Sequence, residues 1–147
     1  MDLSPFFLPV KNLVPIEVAA ALIFTKAGLL IAQRPPGVHL AGLWEFPGGK
    51  REPAESYECC LVREIREELG CEVTVGPLLH EEDHDYPEKR VRIRFFKCSL
   101  ASGEPQALGC ATFRWVLSSD LLHYTFPEAD QALLDHLLEH PEWWVSE

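Results

Sequence analysis

The stretch from Ser56 to Gly70 constrains the fold more than any other part of the chain. Leu61, Val62, Ile65 and Leu69 recur at helical spacing, so one side of a helix must face a core. Ser56 suits the N-cap, because its hydroxyl can accept from an unpaired N–H of the first turn, and Gly70 suits the stop. Such a helix needs a surface to cover, and the rest of the chain supplies strands. Ile16 to Phe24 is an apolar run ended by the turn signal Lys26-Ala-Gly28, and Leu29 to Gln33 follows as the second arm of a hairpin. Glu72 to Leu79, Val91 to Leu100 and Phe113 to Leu117 predict further strands. In the second of these, Val91, Ile93 and Phe95 alternate with Arg92 and Arg94, as in a sheet with one wet face. Arg34 to Lys50, rich in proline and glycine, predicts loop. Pro127 opens a last helix with the stripe Leu133, Leu134, Leu137 and Leu138, and Pro141 closes it. Strands and helices mixed without strict alternation predict an α+β fold.

A length of 147 residues fits one domain over 1–147, with 1–14 as an extended leader broken by Pro5 and Pro9. No stretch approaches the roughly 18 apolar residues of a membrane span, so no membrane partner is expected. The formal charge of −10 argues against long nucleic acid, whose phosphates need a basic surface. A small phosphorylated substrate is still allowed, since a divalent cation can reverse the local sign. Five cysteines without a C-x-x-C pair predict no disulfide framework and a reducing cytoplasm. Monomer and homodimer both stay open.

Glu64, Glu67 and Glu68 fall within a ~100° arc of the helix, one turn apart. Like charges so placed repel one another. They are either a solvated face with pairs such as Arg63 to Glu67, or oxygen ligands shared by a hard cation such as magnesium. The preceding Phe46-Pro-Gly-Gly49 loop lets the main chain approach that face closely.

The spacing from Gly49 through Glu55, Arg63, Glu64, Glu67, Glu68 and Gly70 resembles the Nudix box, G-x5-E-x7-R-E-U-x-E-E-x-G-U, with U a bulky aliphatic. All seven fixed positions match, Ile65 fills the first U, and Cys71 stands at the last. With each type at roughly one position in twenty, a chance match at a given start is about 10⁻⁹, so the motif is specific. Ala32-Gln-Arg34, His39 to Lys50 and Phe126-Pro-Glu-Ala-Asp130 are similar to the MutT branch, which clears oxidised nucleotides such as 8-oxo-dGTP.

The resemblance implies a mixed sheet sandwiched between helices and a set of roles. Glu67, Glu68 and the Gly48 carbonyl would ligate magnesium, with manganese as an alternative. Glu64 would bind the metal through water or act as base, and Arg63 would orient the glutamates. Glu55 would support the joint between loop and helix. Arg34 would meet a substrate phosphate, while His39 and the Glu45-Phe46 backbone would line the base and sugar pocket. The branch often has asparagine where this chain has Asp130, so Asp130 would face the base. A surface cap for the last helix is the alternative for that residue. The branch also places a further glutamate where Gly109 stands. A box glutamate would then serve as base, and Gly109→Glu is expected to leave catalysis unharmed or to improve it.

The implied activity is magnesium-dependent hydrolysis of a nucleoside triphosphate to monophosphate and pyrophosphate. Hydrolysis of cytosine nucleotides, of ADP-ribose or of nucleotide sugars is the alternative within the family. A Nudix domain that binds nucleotide without cleaving it is the alternative of another class.

Overall fold

The apolar run near the start becomes the strand on which the sheet is built. The computed structural model describes residues 13–145, so the expected leader at 1–14 lies outside the description but for its last two residues. Strands β1 (Ile16–Thr25), β2 (Gly28–Gln33), β3 (Trp44–Glu45) and β4 (Gly48–Lys50) precede helix α1 (Tyr57–Leu69). Strands β5 (Glu72–Asp85), β6 (Arg90–Ser102) and β7 (Thr112–Val116) follow, and helix α2 (Gln131–Glu139) comes last. The seven-stranded sheet runs β3-β2-β1-β6-β5, with β4 also on β1 and β7 also on β2. β1 and β6 run parallel, from Ile16 beside Val91 to Ile23 beside Cys98, and the other pairings are antiparallel.

Alternation along β1 divides the core in two. Ala19, Ala21 and Ile23 pack with Leu61, Ile65 and Leu69 of α1. Ala20, Leu22 and Phe24 pack with Leu133, Leu134 and Leu137 of α2. The result is the mixed sheet between helices that the resemblance implies. Each fully buried leucine or isoleucine contributes roughly 1.5–3 kcal/mol, which holds both helices to the sheet. The ends of α1 are fixed locally. Ser56 Oγ accepts from the Cys59 N–H at 3.0 Å, and Gly70 takes the left-handed conformation at φ 63° while its N–H donates to the Arg66 carbonyl.

The fold departs from the sequence reading at three places. The stretch from Arg34 to Lys50 is not all loop, since β3 pairs with β2 and β4 pairs with β1 through register and not through propensity. Glu72 to Leu79 and Val91 to Leu100 are the inner parts of one long hairpin that continues to Asp85 and starts again at Arg90. Cross-strand pairs Arg90–Asp85, Arg92–Asp83 and Arg94–Glu81 carry that extension on the wet face. The last helix starts at Gln131, and Pro127 leads instead into a 3-10 turn over Glu128–Asp130. Among the described residues no helix is long and apolar enough to cross a membrane, and the five cysteines are free thiols.

Candidate active site

Two adjacent glycines bring β4 and α1 together. A Cβ at Gly48 would lie 1.9 Å from the Ala19 carbonyl oxygen, so β4 can seat on β1 only without a side chain there. A Cβ at Gly49 would lie 2.3–2.6 Å from the Glu64 carboxyl atoms. The Glu64 carboxyl therefore rests against bare backbone.

Arg63 ties the loop to the helix. Its guanidinium donates to Glu55 at 2.6 and 3.1 Å, to Glu64 at 2.9 Å and to the Lys50 carbonyl at 3.2 Å. It also reaches Glu67 at 3.5 Å, the i,i+4 pair of a solvated helix face. Arg63 holds the Glu55 carboxyl down at about 2, with help from the Glu52 backbone. The Glu55 and Glu64 side chains are each 16% exposed, whereas Glu67 is 59% exposed, which places Glu67 at the rim of this network.

A cleft of about 430 Å³ opens between the β1–β6 region, the β3–β4 loop and the start of α2. Arg34, His39, Glu45, Phe46, Gly48, Glu64, Glu68 and Asp130 line it, while Arg63 and Glu67 do not. Arg34 donates through Nη1 to Glu45 at 2.7 Å and through Nε to the His39 carbonyl at 2.6 Å. Phe46, which lines the cleft, stacks on Phe126 at 5.2 Å. Asp130 is only 6% exposed, and although it takes the N-cap position of α2 its side chain makes no cap hydrogen bond. The surface cap considered from the sequence is thereby corrected, because this carboxyl is buried in the cleft.

The cleft is crowded with carboxyls. Burial, then Glu45, then Glu64 push the Glu68 carboxyl up to about 8, while the Gly48 backbone and Arg34 pull the other way. Burial raises Glu64 against the pull of Arg63, and raises Glu45 against the pull of Arg34. Burial, then Glu45 and Glu82, push Asp130 up to about 7. Among the described residues no three metal-binding side chains converge on one point. The chemistry of the donors nonetheless fits a hard divalent cation. Buried, mutually repelling carboxylate oxygens beside an open backbone are what such an ion binds, and its charge would relieve the repulsion.

The NUDIX domain family matches residues 19–136, which includes both the glycine pair and the helix face. The chain belongs to the Nudix family. A CTP pyrophosphohydrolase of Escherichia coli is 39% identical over 120 residues, covering 82% of this chain and 89% of that protein. An 8-oxo-dGTP diphosphatase of Proteus vulgaris is 44% identical over 82 residues, 55% of this chain and 73% of that one. The solution structure of the E. coli ORF135 protein superposes with a TM-score of 0.76 at 36% identity, covering 90% of this chain and 94% of that one.

Two features of this Nudix site escape a reading of the sequence. Tyr86 and Lys89, at the tip of the β5–β6 hairpin, line the cleft with Ile16, Val18, Val91 and Ile93. The alternation in β6 announced a dry face, yet not that part of it stays uncovered as a cleft wall. Gly109 in turn packs on α1, where its N–H donates to the Glu68 carbonyl at 3.0 Å. A Cβ there would lie 3.2 and 3.3 Å from Glu68 Cγ and Cα. Glu104 stays exposed.

Proposed function

We propose that this Nudix hydrolase is a magnesium-dependent nucleoside triphosphate pyrophosphohydrolase that releases a monophosphate and pyrophosphate, with oxidised purine and cytosine nucleotides as substrates. One observation carries the reading: a single cleft joins the Glu64–Glu68 helix face to a buried carboxyl at Asp130. The triphosphate would lie at the first and the base at the second. The names of the two curated relatives support both halves, since one is called a CTP and the other an 8-oxo-dGTP enzyme.

Glu64, Glu67, Glu68 and the Gly48 carbonyl would hold the cation, with manganese able to replace magnesium. When bound, such an ion neutralises phosphate oxygens and lowers the pKa of the attacking water. The chain's own residues do the rest. Glu64, seated against Gly49 and oriented by Arg63, takes the proton from water as general base. Glu55 keeps Arg63 in place. Arg34 exchanges its bond to Glu45 for one to a substrate phosphate, and His39 with the Glu45-Phe46 backbone lines the sugar pocket.

Asp130 gives the base specificity a physical form. With a pKa near neutrality it spends time both protonated and ionised. The protonated acid donates to O6 of an oxidised guanine while its other oxygen accepts from N7–H. The ionised acid accepts from an amino group such as N4 of cytosine. One residue thus serves both substrate classes. Five free thiols support a reducing cytoplasm as the place of action.

The test is a nucleotide panel with magnesium. Pyrophosphate released from 8-oxo-dGTP or dCTP is the expected result. AMP with ribose 5-phosphate from ADP-ribose would move the chain to another branch, and binding without turnover would make it a nucleotide-binding domain.

A further inference from the structure

The hairpin tip that leans over the cleft has no part in the chemistry above. Tyr86 and Lys89 close the turn, with the Tyr86 N–H donating to the Lys89 carbonyl at 2.8 Å. The Tyr86 ring is braced on several sides. His39 meets it at 5.6 Å and 81°, His84 meets it at 4.6 Å and 70°, and the Lys89 ammonium lies 5.4 Å from its centroid. His39 comes from the far loop, so this contact joins the hairpin to the loop that holds Arg34. The next residue, Leu40, also lines the cleft and is, among the described residues, the non-glycine held at positive φ, at 58°. Backbone strain of that kind persists where surrounding contacts fix a ligand clamp. Tyr86 and Asp130 line the same cleft, and the Tyr86 phenol is pushed up by burial and then by the Asp130 carboxyl, against the pull of Arg34.

We propose that Tyr86 is the stacking platform for the nucleobase, supplying affinity that does not depend on base identity, while Asp130 reads the base edge. The proposal rests on the nucleotide reading above and deepens it. Every base has a π-face, so stacking on an aromatic ring tolerates purine and pyrimidine alike. A half-buried tyrosine held by His39, His84 and Lys89 is ordered before substrate arrives, which lowers the entropy cost of stacking. Selection is then left to hydrogen bonds at the edge.

Binding to Tyr86→Leu and Tyr86→Phe separates this role from a structural one. Calorimetry with magnesium would use the uncleavable α,β-imido analogues of dGTP and dCTP, and inorganic tripolyphosphate as a probe without a base. Tyr86→Leu should weaken both analogues about tenfold, Tyr86→Phe by no more than about twofold, and neither should alter tripolyphosphate binding. Wild-type affinity of Tyr86→Leu for the analogues would overturn the stacking role while leaving the nucleotide reading in place. An equal loss for tripolyphosphate would also overturn it, by making the hairpin a general lid. A wild-type protein that binds neither analogue would remove the nucleotide reading and this inference together.

Discussion

Gly49 and Glu64 occupy one space: a Cβ on the glycine would lie 2.3 Å from the carboxyl carbon of the glutamate. Gly49→Ala must therefore displace Glu64 or part β4 from α1. Because a shift on the order of 1 Å in a catalytic group costs about a hundredfold in rate, kcat should fall at least about tenfold. The Tm should stay close to wild type, because the atoms in the way are the far end of the Glu64 side chain and not backbone. An alanine variant with unchanged kcat would show that Glu64 does not need its observed seat.

Gly109→Glu reverses an expectation from the sequence. The missing glutamate of the MutT pattern suggests that restoring it is harmless or helpful. The backbone of Glu68, however, lies 3.3 Å from where the new Cβ would sit. The substitution should push on Glu68 and reduce turnover several-fold, on the scale of a displaced catalytic group at about 0.5 Å. Gly109→Ala, which adds only the Cβ, should show most of the loss. Turnover equal to or above wild type in both variants would mean that α1 yields without cost.

The helix and its box were legible because their signals are local. Ser56, Gly70 and the Leu61–Ile65–Leu69 spacing act within a few residues of one another. The short strands β3 and β4 were not, because only pairing with β2 and β1 makes them strands. Of the residues to which the family pattern gave a part in metal or substrate binding, all but Glu67 line the cleft, Asp130 among them. It could not show that Arg34 is already tied to Glu45, or that Glu67 stands at the rim, since both depend on side-chain packing across separate elements. A role for Tyr86 was not legible for the same reason, although the Tyr86-Pro-Glu-Lys89 run fits the MutT pattern. A hairpin tip carries no periodic signal, and its place over the cleft depends on a contact with His39.

Asp130 should make stability depend on pH in a fixed direction. Its folded pKa lies near 7, above the 3.8 of a free side chain, so the folded state holds its proton more tightly than the unfolded chain. The stability this contributes is full below about pH 4 and is lost as pH rises through about 7. Asp130→Asn removes that loss, so its Tm advantage over wild type should grow between pH 5 and pH 8, by roughly 5 °C. A Tm difference independent of pH would place Asp130 in a wetter setting than its burial indicates.

The same variant tests base selection. Asparagine can donate and accept at once toward an oxidised guanine at any pH, whereas it loses the purely accepting form that suits an amino group. The ratio of kcat/KM on 8-oxo-dGTP to that on dCTP should rise about tenfold or more, the scale of one discriminating hydrogen bond. An unchanged ratio would separate Asp130 from base selection and leave its burial as packing alone.

Glu68 bears most directly on the whole account, because it is the acid pushed furthest up in the cleft, to about 8, by burial and by Glu45 and Glu64. Glu68→Gln keeps the shape of the side chain and removes its capacity to become the anion that a cation would bind. Because burial and the neighbouring acids already hold this carboxyl protonated near neutral pH, the neutral amide should unfold close to the wild-type temperature in metal-free buffer. Its rate of pyrophosphate release from the best nucleotide in saturating magnesium should fall by at least ~10²-fold, the usual loss on removing a positioned catalytic group. Folded Glu68→Gln protein that releases pyrophosphate at close to the wild-type rate would contradict the assignment of this helix face to the chemistry.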